Sequence, residues 1–209
     1  MKPFTQLQGD AVAIEGRNID TDQIIPARFL KKNRAEGYGE YLFHDLRIDA
    51  ATQTPTGFVL NQPLFKQATV LVADHNFGCG SSREGAVYTL ADFGFRAILA
   101  PSFGDIFYSN CLKNGLLPIR LDAEILSALR ALIQDTAVRT GQVIPIAVDL
   151  ETCTVHWPGL DRPLAFSIDP FWRECLLKGV DEVALTLSYQ NEIDAFEKKH
   201  YVERPWLSA

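Results

Sequence analysis

The chain lacks long apolar runs and clustered basic residues, and each absence excludes a class of protein. No stretch approaches the roughly 18 consecutive apolar residues of a membrane-spanning helix. The first ten residues contain no apolar core of a secretory signal, so we expect a cytoplasmic protein. The net charge is −6, and lysines and arginines are not concentrated, which argues against nucleic acid as the main partner.

Cysteine and histidine are sparse and scattered. No two cysteines form a CxxC pair, which predicts free thiols in a reducing compartment and no zinc or iron–sulfur ligand set. The four cysteines are Cys79, Cys111, Cys153 and Cys175. The four histidines are equally dispersed, and we assign none of them to a metal. If the chemistry needs a metal, we expect another chain to bring it.

The length of 209 residues suffices for one sizeable core, and we expect a single domain over residues 1–209. Between residues 69 and 133, short apolar runs alternate with helix-periodic segments, which predicts parallel βαβ units with right-handed crossovers. The strands of this half are predicted at 69–73, 96–100 and 116–119, and an earlier one at 11–14. Its helices are predicted at 81–93, at 101–114 with Phe103, Ile106, Phe107 and Cys111 facing inward, and at 122–133.

The C-terminal half has a different pattern. Strands at 143–148, 153–156 and 164–166 predict a β-rich flank. Asp169-Pro170 predicts a capped helix that ends at Gly179. We predict one last helix from 181 to 200. Its core-facing residues would be Ala184, Leu187, Ile193 and Phe196.

The segment Asn76-Phe-Gly-Cys-Gly-Ser-Ser-Arg-Glu84 follows a predicted buried strand and carries the strongest functional signal. Its glycines allow a tight turn that approaches a ligand. Ser81, Ser82 and Arg83 are then expected at a helix N-terminus, which attracts anions, so the sequence predicts a carboxylate site. The alternative is structural, because Ser81-x-x-Glu84 also matches a capping box. The glycine spacing fits neither nucleotide-binding fingerprint.

The segment upstream offers further candidates. Asp22 is either a turn or cap residue, or a buried carboxylate that orients a catalytic group. Residues 27–47 are basic and aromatic. They form either a solvated, mobile loop or a lid that brings cations to an anionic ligand.

Five motifs in this order resemble those of a known family, the small subunit of 3-isopropylmalate dehydratase, which is related to the swivelling domain of aconitase. They are T-D-x-I-I-P, F-V-L-N, N-F-G-C-G-S-S-R-E, A-P-S-F-x-D-I-F and L-L-P-I. The resemblance extends from Asp10 to about Leu121. It implies an α/β fold: a swivelling β/β/α three-layer domain with a mostly parallel core sheet.

The resemblance also implies an activity and a partner. Family members isomerise 2-isopropylmalate to 3-isopropylmalate in leucine biosynthesis by dehydration and rehydration, and they act only with a separate large subunit. That large subunit carries a [4Fe–4S] cluster, so no cofactor is expected in this chain. The substrate class is a small 2-hydroxy di- or tricarboxylic acid.

The same resemblance implies roles for single residues. Ser81 would be the base that removes a proton next to a carboxylate, and Ser82 with Arg83 would hold a substrate carboxylate. Asp22 would orient a neighbouring group. For the second carboxylate, Arg34 is the choice by spacing and Arg28 its rival. Phe29, Leu30 and Lys31 fall where the family reads the variable part of the substrate.

Two features depart from the family pattern. Gly85 stands where members usually have histidine, and Lys31 with Lys32 is unexpected beside an isopropyl group. Two alternatives therefore stay open. One is a sister isomerase acting on a methylmalate (citramalate) or homoaconitate-like acid, and the other is a carboxylate-binding domain without catalysis.

Overall fold

A seven-stranded mixed sheet organises the computed structural model, which describes residues 1–207. The strands are β1 Gln6–Ala13, β2 Val70–Val72, β3 Ala97–Ala100, β4 Leu117–Arg120, β5 Ile144–Asp149, β6 Thr154–His156 and β7 Leu164–Ala165. The helices are α1 Thr21–Ile24, α2 His44–Arg47, α3 Glu84–Phe93, α4 Asp105–Lys113, α5 Ala123–Thr140, α6 Pro170–Lys178, α7 Glu182–Leu187 and α8 Gln190–Glu203. None of these helices combines the length and the apolar character that a membrane span requires.

The sheet has a parallel half and an antiparallel half. Its order is β4-β3-β2-β1-β5-β6-β7, in which β1, β2, β3 and β4 pair in parallel and the remaining neighbours are antiparallel. Every residue of β2 and β3 is buried, as expected for parallel strands covered on both faces. In β5, buried and exposed residues alternate, which is typical of a strand with one solvated face. The predicted α/β fold with a parallel core and a β-rich flank is confirmed.

Several predicted boundaries shift for identifiable reasons. The first strand is longer than 11–14 because residues from Gln6 onward pair with β5. The helix expected at 122–133 continues to Thr140 and ends where Gly141 adopts a left-handed conformation. The prediction for α6 is confirmed, since Asp169 caps its N-terminus and Gly179 ends it.

The helix expected from residue 101 begins four residues later, at Asp105. Phe103 instead forms a bridge with Phe77, and Gly104 is extended. The prediction that Ile106 faces the core is wrong, because its side chain is exposed.

The single helix predicted at 181–200 is wrong. The chain forms two helices, α7 and α8, that are separated at Ser188 and Tyr189, where the Ser188 hydroxyl donates to the Leu185 carbonyl over 2.6 Å. Leu185 is buried, whereas Leu187 and Phe196, two of the predicted core positions, are exposed. Helical spacing alone did not reveal that this segment leaves the core.

Candidate active site

The segment 76–83 lies at the carboxyl end of β2, where ligands bind in parallel sheets. Backbone hydrogen bonds tie it to two other segments. Phe77 N–H donates to Ser102 O over 3.1 Å, and Thr21 N–H donates to Cys79 O over 2.9 Å. These bonds gather α1, the segment 76–83 and the start of α4 around one opening.

A buried arginine holds the residues just before this segment. Arg130 on α5 donates to the Ala73 carbonyl over 3.1 Å and to the Asp74 carboxylate over 2.9 Å. Its side chain lies among buried helix positions such as Leu129 and Ile133. Sequence reasoning missed Arg130, although an arginine on the apolar face of a predicted helix was a usable signal.

Gly104 permits a very close approach of two backbone segments. A Cβ atom at Gly104 would lie 2.6 Å from the Gly78 carbonyl oxygen, which is too close for any side chain. Gly78 has a φ of +72° and faces the ring of Phe107. Gly78 and Gly104 therefore allow the loop before α3 and the loop before α4 to pack closely together at the opening.

The opening is a shallow cleft of about 250 Å³, small enough to suit one small acid. It is lined by Thr21, Gly78, Cys79, Gly80, Ser81, Arg83, Gly104, Asp105, Ile106 and Phe107. Exposure of Ile106, which the sequence pattern assigned to the core, follows from its position in this lining. The cleft thus has the Ser81 hydroxyl and the Arg83 guanidinium on the same surface.

The structure excludes the capping-box role of Ser81. Helix α3 begins at Glu84, and its N-cap residue is Arg83, without a side-chain capping bond. Ser81 and Ser82 thus precede the helix in an exposed loop, rather than occupying its first turn. The Ser81 carbonyl accepts a hydrogen bond from Thr21 Oγ1 over 2.8 Å, which fixes the backbone beside the serine hydroxyl.

Asp22 pairs with Arg83, Nη1 of the arginine against Oδ1 of the carboxylate. The prediction of a buried carboxylate is wrong, because the Asp22 side chain is 53% exposed while that of Arg83 is 16% exposed. The cap role is also wrong for Asp22, since Asp20 caps α1 by accepting from Gln23 N over 2.8 Å. Asp22 is placed to orient the Arg83 guanidinium at the cleft.

Arg34 and Arg28 are held away from this pair by other carboxylates. Arg34 forms two hydrogen bonds of 2.8 and 2.6 Å with Asp92. Asp92 lies nine residues after Arg83, about 13 Å further along the helix. Arg28 pairs with Asp45. The structure does not bring either arginine to Ser81, and a role for them in binding the second carboxylate stays a prediction.

The segment 27–47 packs on the protein in short 3₁₀ turns and α2. Phe29 stacks on Tyr41 with ring centroids 4.4 Å apart, and Tyr38 is buried. The second half of the segment therefore packs on the protein through Tyr38, Leu42 and Phe43, whereas most of 27–37, including Lys31 and Lys32, is exposed.

Gly85 lies directly under this segment. A Cβ atom there would lie 2.9 Å from Leu30 Cδ2 and 3.0 Å from Tyr38 Oη. The structure therefore offers a reason for the glycine in the first turn of α3, because a side chain there would have to displace the end of Leu30 or the Tyr38 hydroxyl. Leu30 thus packs on Gly85, which follows Arg83 by two positions in the chain.

We expect Gly85→Ala to loosen the segment 27–41, because the added methyl group must displace Leu30 or Tyr38. Overpacking of this kind costs roughly 1–3 kcal/mol, so amide exchange in 27–41 should accelerate about tenfold. Gly57→Ala is the matched control, because a Cβ atom at Gly57 meets nothing within 4 Å. Equal exchange in the two variants would show that Gly85 does not support the segment.

Cys79 lines the cleft, but its thiol is not activated. Burial, and then the negative charge of Asp20, raise the pKa of the Cys79 thiol. Its Sγ lies 3.4 Å from the Asn18 carbonyl oxygen. The thiol is therefore protonated at neutral pH, and packing accounts for it better than nucleophilic chemistry.

Within residues 1–207, no group of three or more histidine, cysteine, aspartate or glutamate side chains is arranged to hold a metal ion. The donor set of the cleft is instead suited to an organic anion, since it combines a guanidinium with hydroxyls.

Two family models match the chain. One describes the aconitase C-terminal domain and matches residues 1–124, and the other describes the C-terminal domain of the 3-isopropylmalate dehydratase small subunit and matches residues 182–209. A crystal structure of 3-isopropylmalate dehydratase from Methanocaldococcus jannaschii superposes with a TM-score of 0.60 at 25% identity, covering 93% of this chain and 99% of that chain.

Full-length relatives agree with these matches. The 3-isopropylmalate dehydratase small subunit of Leptospira interrogans is 46% identical over 211 residues, with 100% of both chains covered. That of Geobacillus kaustophilus is 49% identical over 201 residues, covering 96% of this chain and 98% of the relative. The chain thus belongs to the 3-isopropylmalate dehydratase small-subunit family, whose fold is that of the aconitase C-terminal domain.

Proposed function

We propose that the chain is the small subunit of a 3-isopropylmalate dehydratase, which interconverts 2- and 3-isopropylmalate in leucine biosynthesis together with a large subunit. The full-length relatives support the family activity. The observation that carries the site assignment is that Ser81 and Arg83 line one cleft, with Asp22 paired to the Arg83 guanidinium and Ser82 next to both in the chain.

In this proposal, Ser81 Oγ takes the proton from the carbon next to a substrate carboxylate. The electron pair of the broken C–H bond forms the alkene as the hydroxyl leaves the neighbouring carbon. A serine alkoxide needs nearby positive charge, and Arg83 supplies it beside the same loop. Returning the proton and the hydroxyl to the opposite carbons completes the isomerisation.

Ser82 and Arg83 bind the substrate carboxylate, because a guanidinium matches a carboxylate with two parallel hydrogen bonds. Asp22 keeps the arginine in place until the substrate arrives. A [4Fe–4S] cluster held by the large subunit supplies the Lewis acidity that removal of the hydroxyl requires. No residue of this chain is assigned to the cluster.

Leu30 favours the isopropyl group over a third carboxylate. It is an apolar side chain, 37% exposed, that packs on Gly85, two positions after Arg83 in the chain, and the adjacent Lys31 and Lys32 are exposed as well. A third carboxylate would need a cation to pair with, and Leu30 supplies none. The dehydratase activity is therefore better supported than a homoaconitate-type activity.

The test mixes the chain anaerobically with its cognate large subunit and follows alkene absorbance with 2-isopropylmalate, citramalate and homocitrate. We expect turnover of 2-isopropylmalate and no comparable turnover of the other two acids. Turnover of another acid alone would assign the chain to a sister isomerase. If the complex forms but turns over none of the three acids, the chain would be a carboxylate-binding domain without catalysis.

A further inference from the structure

The C-terminal tail, Glu182–Leu207, carries an unusual concentration of exposed apolar side chains. It contains eight of the fourteen large apolar side chains that are exposed within residues 1–207. They are Val183, Leu187, Tyr189, Phe196, Tyr201, Val202, Trp206 and Leu207. A solvated surface rarely groups so many large apolar residues, which is typical of a surface that another molecule covers.

Within residues 1–207, the tail is anchored mainly at its beginning. Asp181 caps α7 by accepting from Ala184 N over 2.7 Å, Leu185 is buried, and Glu182 lies 3.7 Å from Lys113. Helix α8, by contrast, contains no buried residue. A helix of 14 residues is marginal in water without tertiary packing, so α8 needs a surface to pack against.

The family matches indicate what that surface belongs to. The match to the aconitase C-terminal domain ends at residue 124, whereas the tail matches the C-terminal domain of the dehydratase small subunit. Relatives named as small subunits align over their full length, tail included. A separate subunit needs a non-covalent attachment to its partner, and the tail is an element of this class of protein that can provide it.

The exposed area is sufficient for such an attachment. Aromatic side chains bury about 150–250 Å² when fully covered, and valine and leucine bury somewhat less. At the exposures of these eight, the tail offers on the order of 900 Å² of apolar surface. A standard interface buries roughly 800 Å² on each partner. The exposed apolar area of the tail is therefore comparable to the area that one partner buries in a stable interface.

We infer that the tail docks in an apolar groove of the large subunit and holds the two chains together. This inference rests on the proposed function, which requires that partner. The tail begins beside Lys113 at the C-terminal end of α4, whereas the cleft is lined by Asp105, Ile106 and Phe107 at the N-terminal end of that helix. The partner's catalytic surface can then face the cleft while the tail provides the attachment.

The experiment compares full-length variants for binding to the recombinant cognate large subunit by isothermal titration calorimetry. The triple variant Phe196→Ser, Val202→Ser, Trp206→Ser changes side chains that are 66%, 82% and 76% exposed. We expect its Kd to rise at least 100-fold, with the main thermal unfolding transition unchanged. Val202→Ser alone should raise Kd by about tenfold, whereas its matched control, Val138→Ser on α5 (87% exposed), should leave Kd unchanged.

Hydrogen exchange on the unmodified chain provides an independent measurement. Amides of 190–203 should become protected when the large subunit is added. A wild-type chain that does not bind the large subunit would contradict the proposed function itself. Normal binding by the triple variant, or an unprotected tail in a formed complex, would overturn only the docking inference. The docking inference would also be overturned if the tail instead formed a homodimer, that is, if the triple variant became monomeric while its binding to the large subunit was unchanged.

Discussion

Ser81→Ala is expected to reduce kcat of the reconstituted enzyme by about 10²–10⁴-fold, the usual contribution of a positioned base. The Ser81 hydroxyl is not used as a helix cap, and Thr21 fixes the adjacent carbonyl. Its removal therefore takes away a proton acceptor without removing a structural hydrogen bond of the helix. Stability and affinity for the large subunit should stay at wild-type values.

Ser82→Ala is the matched control, because it removes the neighbouring exposed hydroxyl from the same loop. If Ser82 only binds the carboxylate, its loss should act mainly on KM, by roughly tenfold for a hydrogen bond to a charged group. Steady-state kinetics of both variants separate the two roles. Wild-type kcat in Ser81→Ala, with an intact complex, would remove Ser81 from the reaction.

Much of the parallel half of the fold was predictable because its local signals agree with one another. Buried strands such as β2 and β3 read as short apolar runs, and α6 has both its capping aspartate and its terminating glycine in the sequence. Ser81, Ser82 and Arg83 were likewise identifiable, since they follow a strand in a glycine-rich segment. Their grouping with Asp22 depends on the parallel pairing of β1 with β2. The sequence pattern predicted a parallel sheet but not which strands are neighbours in it.

The features that the sequence did not predict depend on contacts between segments far apart in the chain. Spacing pointed to Arg34 for the second carboxylate, yet Asp92, 58 residues away, holds its guanidinium. The reason for Gly85 is likewise a tertiary contact with Leu30 and Tyr38. Phe196 had helical spacing typical of a core position, but periodicity does not tell which molecule covers an apolar face. That distinction separates a core helix from a docking helix.

Arg83→Lys is expected to raise KM for 2-isopropylmalate by about 10–100-fold and to lower kcat as well. Lysine keeps the charge but loses the planar fork that binds a carboxylate through two hydrogen bonds, which are worth roughly 1.5–3 kcal/mol each when charged. It also loses the geometry of the pair with Asp22, so the remaining cation is less well oriented toward Ser81. Steady-state kinetics of the reconstituted enzyme measure both effects.

The control for this substitution is Arg139→Lys, which changes an exposed arginine paired with Asp135 one turn away on α5. It should leave both constants unchanged, because an exposed pair of this kind contributes little. A KM that is equal in the two variants would show that Arg83 does not contact the substrate carboxylate. If KM rises for Arg83→Lys while kcat is retained, Arg83 binds the substrate without stabilising the Ser81 alkoxide. In that case, the positive charge that activates the serine must come from the large subunit.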